Sequence, residues 1–129
     1  MKRHVDFLAT LYLTWGGLFT LVALAGFALA AGAFAIARSD GPVRFSSEMA
    51  ANLTAATIGV ISAIALVWGA LHLFTGRTLR RHRPSARLMA LGLAVGNLVL
   101  LPFGTALGAY ACWVLLNDEG RRLFERSEK

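Results

Sequence analysis

The chain has 129 residues, is 57% hydrophobic with a mean hydropathy of +0.60, and carries a formal charge of +6 at a pI near 10.8. A chain this short and apolar leaves little room for a soluble domain beside membrane segments. Its basic excess would point to nucleic acid in a soluble protein, but here it reads as an orientation signal, so no nucleic-acid partner is expected. One cysteine, Cys112, excludes an intramolecular disulfide and reads as a buried structural thiol.

Asp, Glu, Lys and Arg are missing from three stretches, Phe7 to Ala37, Met49 to Gly76 and Leu88 to Asn117. Each exceeds the ~20 apolar residues that cross a bilayer. The expected fold class is all-α integral membrane: one four-transmembrane-helix bundle with helices at about 7–37, 49–76, 86–101 and 102–118 and a cytoplasmic tail over 119–129.

Lys2, Arg3 and His4 precede the first stretch as in a signal peptide. Its 31 apolar residues are about twice the ~15 of a cleavable core, so the segment is expected to stay. At 1.5 Å per residue it spans ~46 Å, more than a ~30 Å hydrocarbon core. Tyr12 and Trp15 sit where an aromatic belt falls, and Gly16-Gly17 follows. This predicts an interfacial stretch from Val5 to Trp15 and a crossing from Gly17 to Ala37, with one tilted helix as the alternative.

Asp40-Gly41-Pro42 marks a turn, and Ser46 or Ser47 is placed to cap a second helix whose first turn holds Glu48. After that helix come five arginines, Arg77, Arg80, Arg81, Arg83 and Arg87, suited to anionic headgroups at the cytoplasmic face as well as to fixing topology. The third stretch breaks at Leu101-Pro102-Phe103-Gly104-Thr105. Pro removes a helical hydrogen bond and Gly loosens the backbone, so a hairpin is predicted there. Its arms are short, and Pro84 at a first helical position with Arg87 snorkelling would lengthen the first; a turn below the outer surface is the alternative. All but Arg38 and Arg44 of the 13 Lys and Arg lie at the two ends or in the arginine loop. Both termini and that loop are therefore assigned to the cytoplasm, which requires an even number of crossings.

Close packing through small residues draws membrane helices together, because lipid supplies no hydrophobic drive between them. Gly92-x-x-x-Gly96 and Gly104-x-x-x-Gly108 lie at matching heights across the predicted hairpin and are expected to pack face to face; Ala55, Gly59 and Ala63 offer a similar row on the second helix. An oligomer interface is the competing use of these faces.

Ionisable groups at membrane depth usually mark function, and here no carboxylate lies in the three stretches. That argues against a proton-coupled exporter of the small four-helix kind and against the eicosanoid and glutathione four-helix enzymes. One helical histidine, His72, does not make an axial haem pair, and one cysteine does not make a thiol oxidoreductase. His4, His72 and His82 share no metal-ligand spacing. No cofactor, metal or catalytic residue is expected, and a lipid-acting enzyme lacks a nucleophile with a base. What remains is uncharged: Asn97, Ser62 and Thr57, with His72, are the candidate lining of a narrow polar path for water, ions or a small solute. The blander readings make Asn97 an interhelical hydrogen bond and His72 an interfacial anchor.

The stretch Pro102-Phe103-Gly104-Thr105-Ala106-Leu107-Gly108-Ala109-Tyr110-Ala111-Cys112-Trp113, with Arg122-Leu123-Phe124 beyond it, resembles the last hairpin arm of small multi-pass bacterial membrane proteins with a P-x-G-T-x-L-G-x-Y-x-x-W pattern. The resemblance covers about the last fifth of the chain and implies a membrane helix with a particular packing face, without an activity. Eleven arginines to two lysines, with abundant Ala, suit a GC-rich bacterial genome and hence a bacterial inner membrane. The functional expectation is a non-catalytic inner-membrane protein acting as a homo-oligomer or as a subunit beside a membrane partner protein; the alternative is a channel or facilitator.

Overall fold

The computed structural model describes residues 2–38, 45–99, 102–119 and 122, with the backbone alone at 45–47 and 84. Among the described residues there are four helices and no strand: α1 (Lys2–Ala37), α2 (Phe45–Arg80), α3 (Pro84–Leu98) and α4 (Phe103–Leu116). Only α1 and α2 are long and apolar enough to cross a membrane; α3 and α4, at 15 and 14 residues, fall short of the ~20 a crossing takes. The two arms of the hairpin are short, as the sequence predicts, beside two helices of spanning length. The turn over Asp40-Gly41-Pro42, the caps at Ser46 and Ser47, and Leu123 and Phe124 of the tail lie outside the described residues and side chains.

α1 is unbroken from Lys2 to Ala37, which corrects the break expected at Gly16-Gly17. Two adjacent glycines lower helix propensity by ~1 kcal/mol each relative to Ala, too little to open a helix whose ladder continues on both sides.

Where α2 ends, the backbone is explicit. The His82 N–H donates to the Leu79 carbonyl at 3.0 Å and the Arg83 N–H to that of Thr78 at 3.3 Å, the paired bonds that close a helix through a left-handed residue. His82 is that residue, at φ 50°, where glycine is usual. Arg83 then turns extended, and Pro84 opens α3, where its missing N–H removes no helical bond. At the other end of α3, the Thr105 hydroxyl of α4 donates to the Leu98 carbonyl at 3.0 Å, closing the hairpin predicted around Pro102. Leu100 and Leu101 lie outside the described residues.

The chain divides into two compact units, Met1–Gly16 with Leu71–Lys129, and Gly17–Ala70. In the first, Val5, Leu8, Ala9 and Tyr12 of α1 pack with Leu79 of α2, Ala86, Ala90 and Ala94 of α3, and Leu107, Ala111, Val114 and Leu115 of α4. The α3 residues repeat every four positions and are all Ala, so α3 presents one small face to the core. In the second unit, Ala23, Ala55 and Ser62 are buried, and Gly26 lies against Ser62 and Ile58. Much of the rest is large and outward: Leu21, Leu29, Ile36, Ile61 and Ile64 are more than 60% exposed.

Candidate functional site: a sealed polar cluster

Three side chains from three helices meet in the first unit, Tyr12 of α1, His72 of α2 and Asn97 of α3, each fully buried. The Tyr12 ring stacks on the His72 imidazole with centroids 5.3 Å apart and planes at 21°, and its hydroxyl donates to the Ala90 carbonyl at 2.8 Å. His72 Nε2 lies 2.9 Å from Asn97 Nδ2 and 3.2 Å from Asn97 Oδ1. The amide therefore serves either form of the ring: a bare Nε2 accepts from Nδ2–H, and an Nε2–H donates to Oδ1. Burying an unbonded amide or imidazole would cost several kcal/mol, so these contacts are what permit the polar groups to sit here. Thr75, one turn along α2 from His72, is also buried, and its hydroxyl has no hydrogen-bond partner among the described residues.

Position along α2 suggests His72 as an interfacial anchor; the correction is that it faces the protein interior. Of the candidate polar path, His72 and Asn97 are brought together but bonded to each other. Thr57 is exposed and turns its hydroxyl back to the Leu53 carbonyl at 2.8 Å. Ser62 is buried against Gly26. These side chains are engaged in local or interhelical bonds and close contacts.

The glycine contacts are redistributed as well. A Cβ on Gly108 would stand 2.5 Å from the Ala94 carbonyl oxygen and 3.2 Å from Leu98, so α3 and α4 touch backbone to backbone there. Gly104 is buried on the same face of α4. Gly92 and Gly59, by contrast, have nothing within 4 Å of where a side chain would begin, and the packing role expected of them inside the chain is not found. Gly96, one turn from Gly92, is only half-buried. Gly76 is a close-approach site that motif reading misses: its Cβ would meet Leu13 at 2.8 Å and the Ala9 carbonyl at 3.0 Å. No second glycine stands four residues away to signal it, because those two positions hold the larger His72 and Arg80.

The arginines part ways. Arg77, Arg81 and Arg83 are exposed, while Arg80 is exposed and donates to the Thr10 hydroxyl of α1 at 3.4 Å. Arg87 is half-buried and donates from Nε to the Leu115 carbonyl at 3.1 Å, so it caps the last turn of α4 rather than snorkelling freely. Across the turn, His82 stands 3.8 Å from Asp6 of α1. Among the described residues no group of three or more His, Cys, Asp or Glu is placed to hold a metal ion.

Compared with protein-family models, curated proteins and solved structures, the chain matches none.

Proposed function

We propose that the chain is a non-catalytic, multi-pass protein of the bacterial inner membrane that works as a homo-oligomer or as a subunit of a membrane assembly. One observation carries this reading: the most apolar windows of α1 and α2 are only 6% and 17% buried, whereas the core helix of a soluble protein is mostly buried. Surface of that kind is stable only when lipid or another protein covers it. In this reading α1 and α2 cross, and the α3–α4 hairpin enters from the arginine-loop side and turns before the far surface. Two crossings keep both termini on the cytoplasmic side, as four would.

Association is supported by glycines that the chain itself leaves open. Gly17, Gly32, Gly59 and Gly92 have nothing within 4 Å of the point where a Cβ would stand, and small residues on an outward face allow a neighbouring helix to approach closely. The polar path fares less well, because His72, Asn97 and Thr57 already form their hydrogen bonds within the chain. Exposed Arg77, Arg81 and Arg83 remain available to anionic headgroups.

Native mass spectrometry of the protein in nanodiscs tests the reading. Wild type is expected as a defined oligomer or with a stoichiometric partner, and Gly32→Leu with Gly59→Leu is expected to shift it toward single chains. A wild type that runs as a lone chain without a partner refutes association.

A further inference from the structure

Along one side of the first unit, α1 and α4 leave a cleft of about 270 Å³, lined by Leu11, Thr14 and Trp15 of α1 and by Phe103, Ala106 and Tyr110 of α4. The two helices run antiparallel here: His4 meets Tyr110 and Trp113, Phe7 meets Tyr110, and Trp15 shares the cleft with Phe103. From Phe103 to Tyr110 the cleft follows α4 for ~10 Å at 1.5 Å per residue. Its volume falls below the ~300–1,000 Å³ of pockets that enclose a drug-sized ligand, so it suits a narrow chain better than a ring system.

The two ends differ in chemistry. At the Phe103 end the lining residues Phe103, Ala106 and Trp15 all belong to the charge-free stretches. At the Tyr110 end the phenol oxygen lies 3.0 Å from His4 Nδ1, His4 stands edge-on to Trp113 at 5.7 Å, and Arg3, next to His4 on α1, is exposed. The next carboxylate along α1, Asp6, is directed to His82. A cation at one end and aromatic rings along the rest repeat the polarity of a lipid from headgroup to tail.

We infer that this cleft seats one acyl chain of an anionic phospholipid from the surrounding bilayer, with its phosphate beside Arg3 and His4. The inference rests on the membrane reading above. Each basic residue near a membrane surface favours an anionic over a neutral headgroup by about fivefold, and the apolar cleft holds the chain whatever the headgroup. Retention and headgroup preference therefore reside in different residues.

The full chain is reconstituted in equal phosphatidylglycerol and phosphatidylcholine, extracted in mild detergent, and assayed for retained lipid by native mass spectrometry. Wild type is expected to keep one lipid, phosphatidylglycerol over phosphatidylcholine by at least fivefold. Ala106→Trp fills the cleft and loses the lipid, whereas Ala109→Trp, exposed on the same helix, keeps it. Arg3→Gln still holds a lipid but no longer distinguishes the two, whereas Lys2→Gln, on the opposite face of α1, keeps the preference. Equal retention by wild type and Ala106→Trp, or no headgroup preference in wild type, overturns the lipid seat. Release of the chain from membranes by alkaline carbonate would instead refute the membrane reading, so the two failures are separable.

Discussion

Gly108→Ala and Gly92→Ala add the same methyl group to the two glycine pairs of one hairpin, yet their effects should have opposite signs. At Gly108 the new Cβ would lie 2.5 Å from the Ala94 carbonyl oxygen, and ordinary contact begins near 3.4 Å, so α3 and α4 must separate by about 0.9 Å or rotate. The obstacle is backbone, which has no rotamer to yield, and Leu98 blocks the adjacent direction at 3.2 Å. Overpacking of this kind costs ~1–3 kcal/mol, and the better helix propensity of Ala offsets ~1 kcal/mol of it. With a rigid obstacle setting the cost in the upper half of that range, Gly108→Ala should destabilise by ~1–2 kcal/mol. At Gly92 only the propensity gain remains, because nothing lies within 4 Å; stability should rise by up to ~1 kcal/mol. Steric trapping in bicelles, with labels on α1 and α4, reads both free energies in a membrane-like setting. Gly108→Ala as stable as wild type, or Gly92→Ala as damaging as Gly108→Ala, would refute the close contact of α4 on Ala94.

The buried cluster gives two further expectations. Asn97→Leu removes the amide bonded to the buried His72 imidazole and should cost ~1–3 kcal/mol; in a double-mutant cycle with His72→Leu, the coupling should be ~0.6–1.7 kcal/mol, as for hydrogen bonds between membrane helices, and strict additivity would show that the two side chains do not stabilise each other. Thr75→Val removes a buried hydroxyl that has no partner among the described residues and should raise stability by ~1 kcal/mol; a loss of similar size in the same steric-trapping measurement would mean that the hydroxyl is bonded.

The four helices and the hairpin are legible in the sequence because charge-free runs and the Pro102–Gly104 break act locally. The glycine at the α3–α4 contact is half legible: Gly104-x-x-x-Gly108 names the face of α4, but Gly92-x-x-x-Gly96 misnames the face of α3, where the row Ala86, Ala90, Ala94 does the packing. A methyl and a hydrogen are both small, and the motif weighs only the hydrogen. Gly76 and Gly26 are out of reach for another reason, since each is required by what arrives opposite it, Leu13 and Ser62 respectively. His72 is misplaced by sequence reasoning because position along a helix fixes depth, while burial depends on rotation about the axis. Tyr12, placed in an aromatic belt by the same logic, goes astray for the same reason. Both errors vanish once α3 is brought to the face that the first turns of α1 and the last turns of α2 share, which no local pattern announces.

The hydrogen bond from Tyr12 to Ala90 joins residues 78 positions apart. At a synthesis rate of ~5–20 residues per second, the phenol of α1 waits about 4–16 s before its acceptor exists. In the membrane reading proposed above, the hydroxyl needs water or a headgroup for that interval, so α1 first sits with Tyr12 at the interface and withdraws it from water only when α3 arrives. On that reading the residue that bonds α1 to α3 also orders their assembly, and a chain halted before Ala90 would leave α1 at a different depth from the one it finally takes.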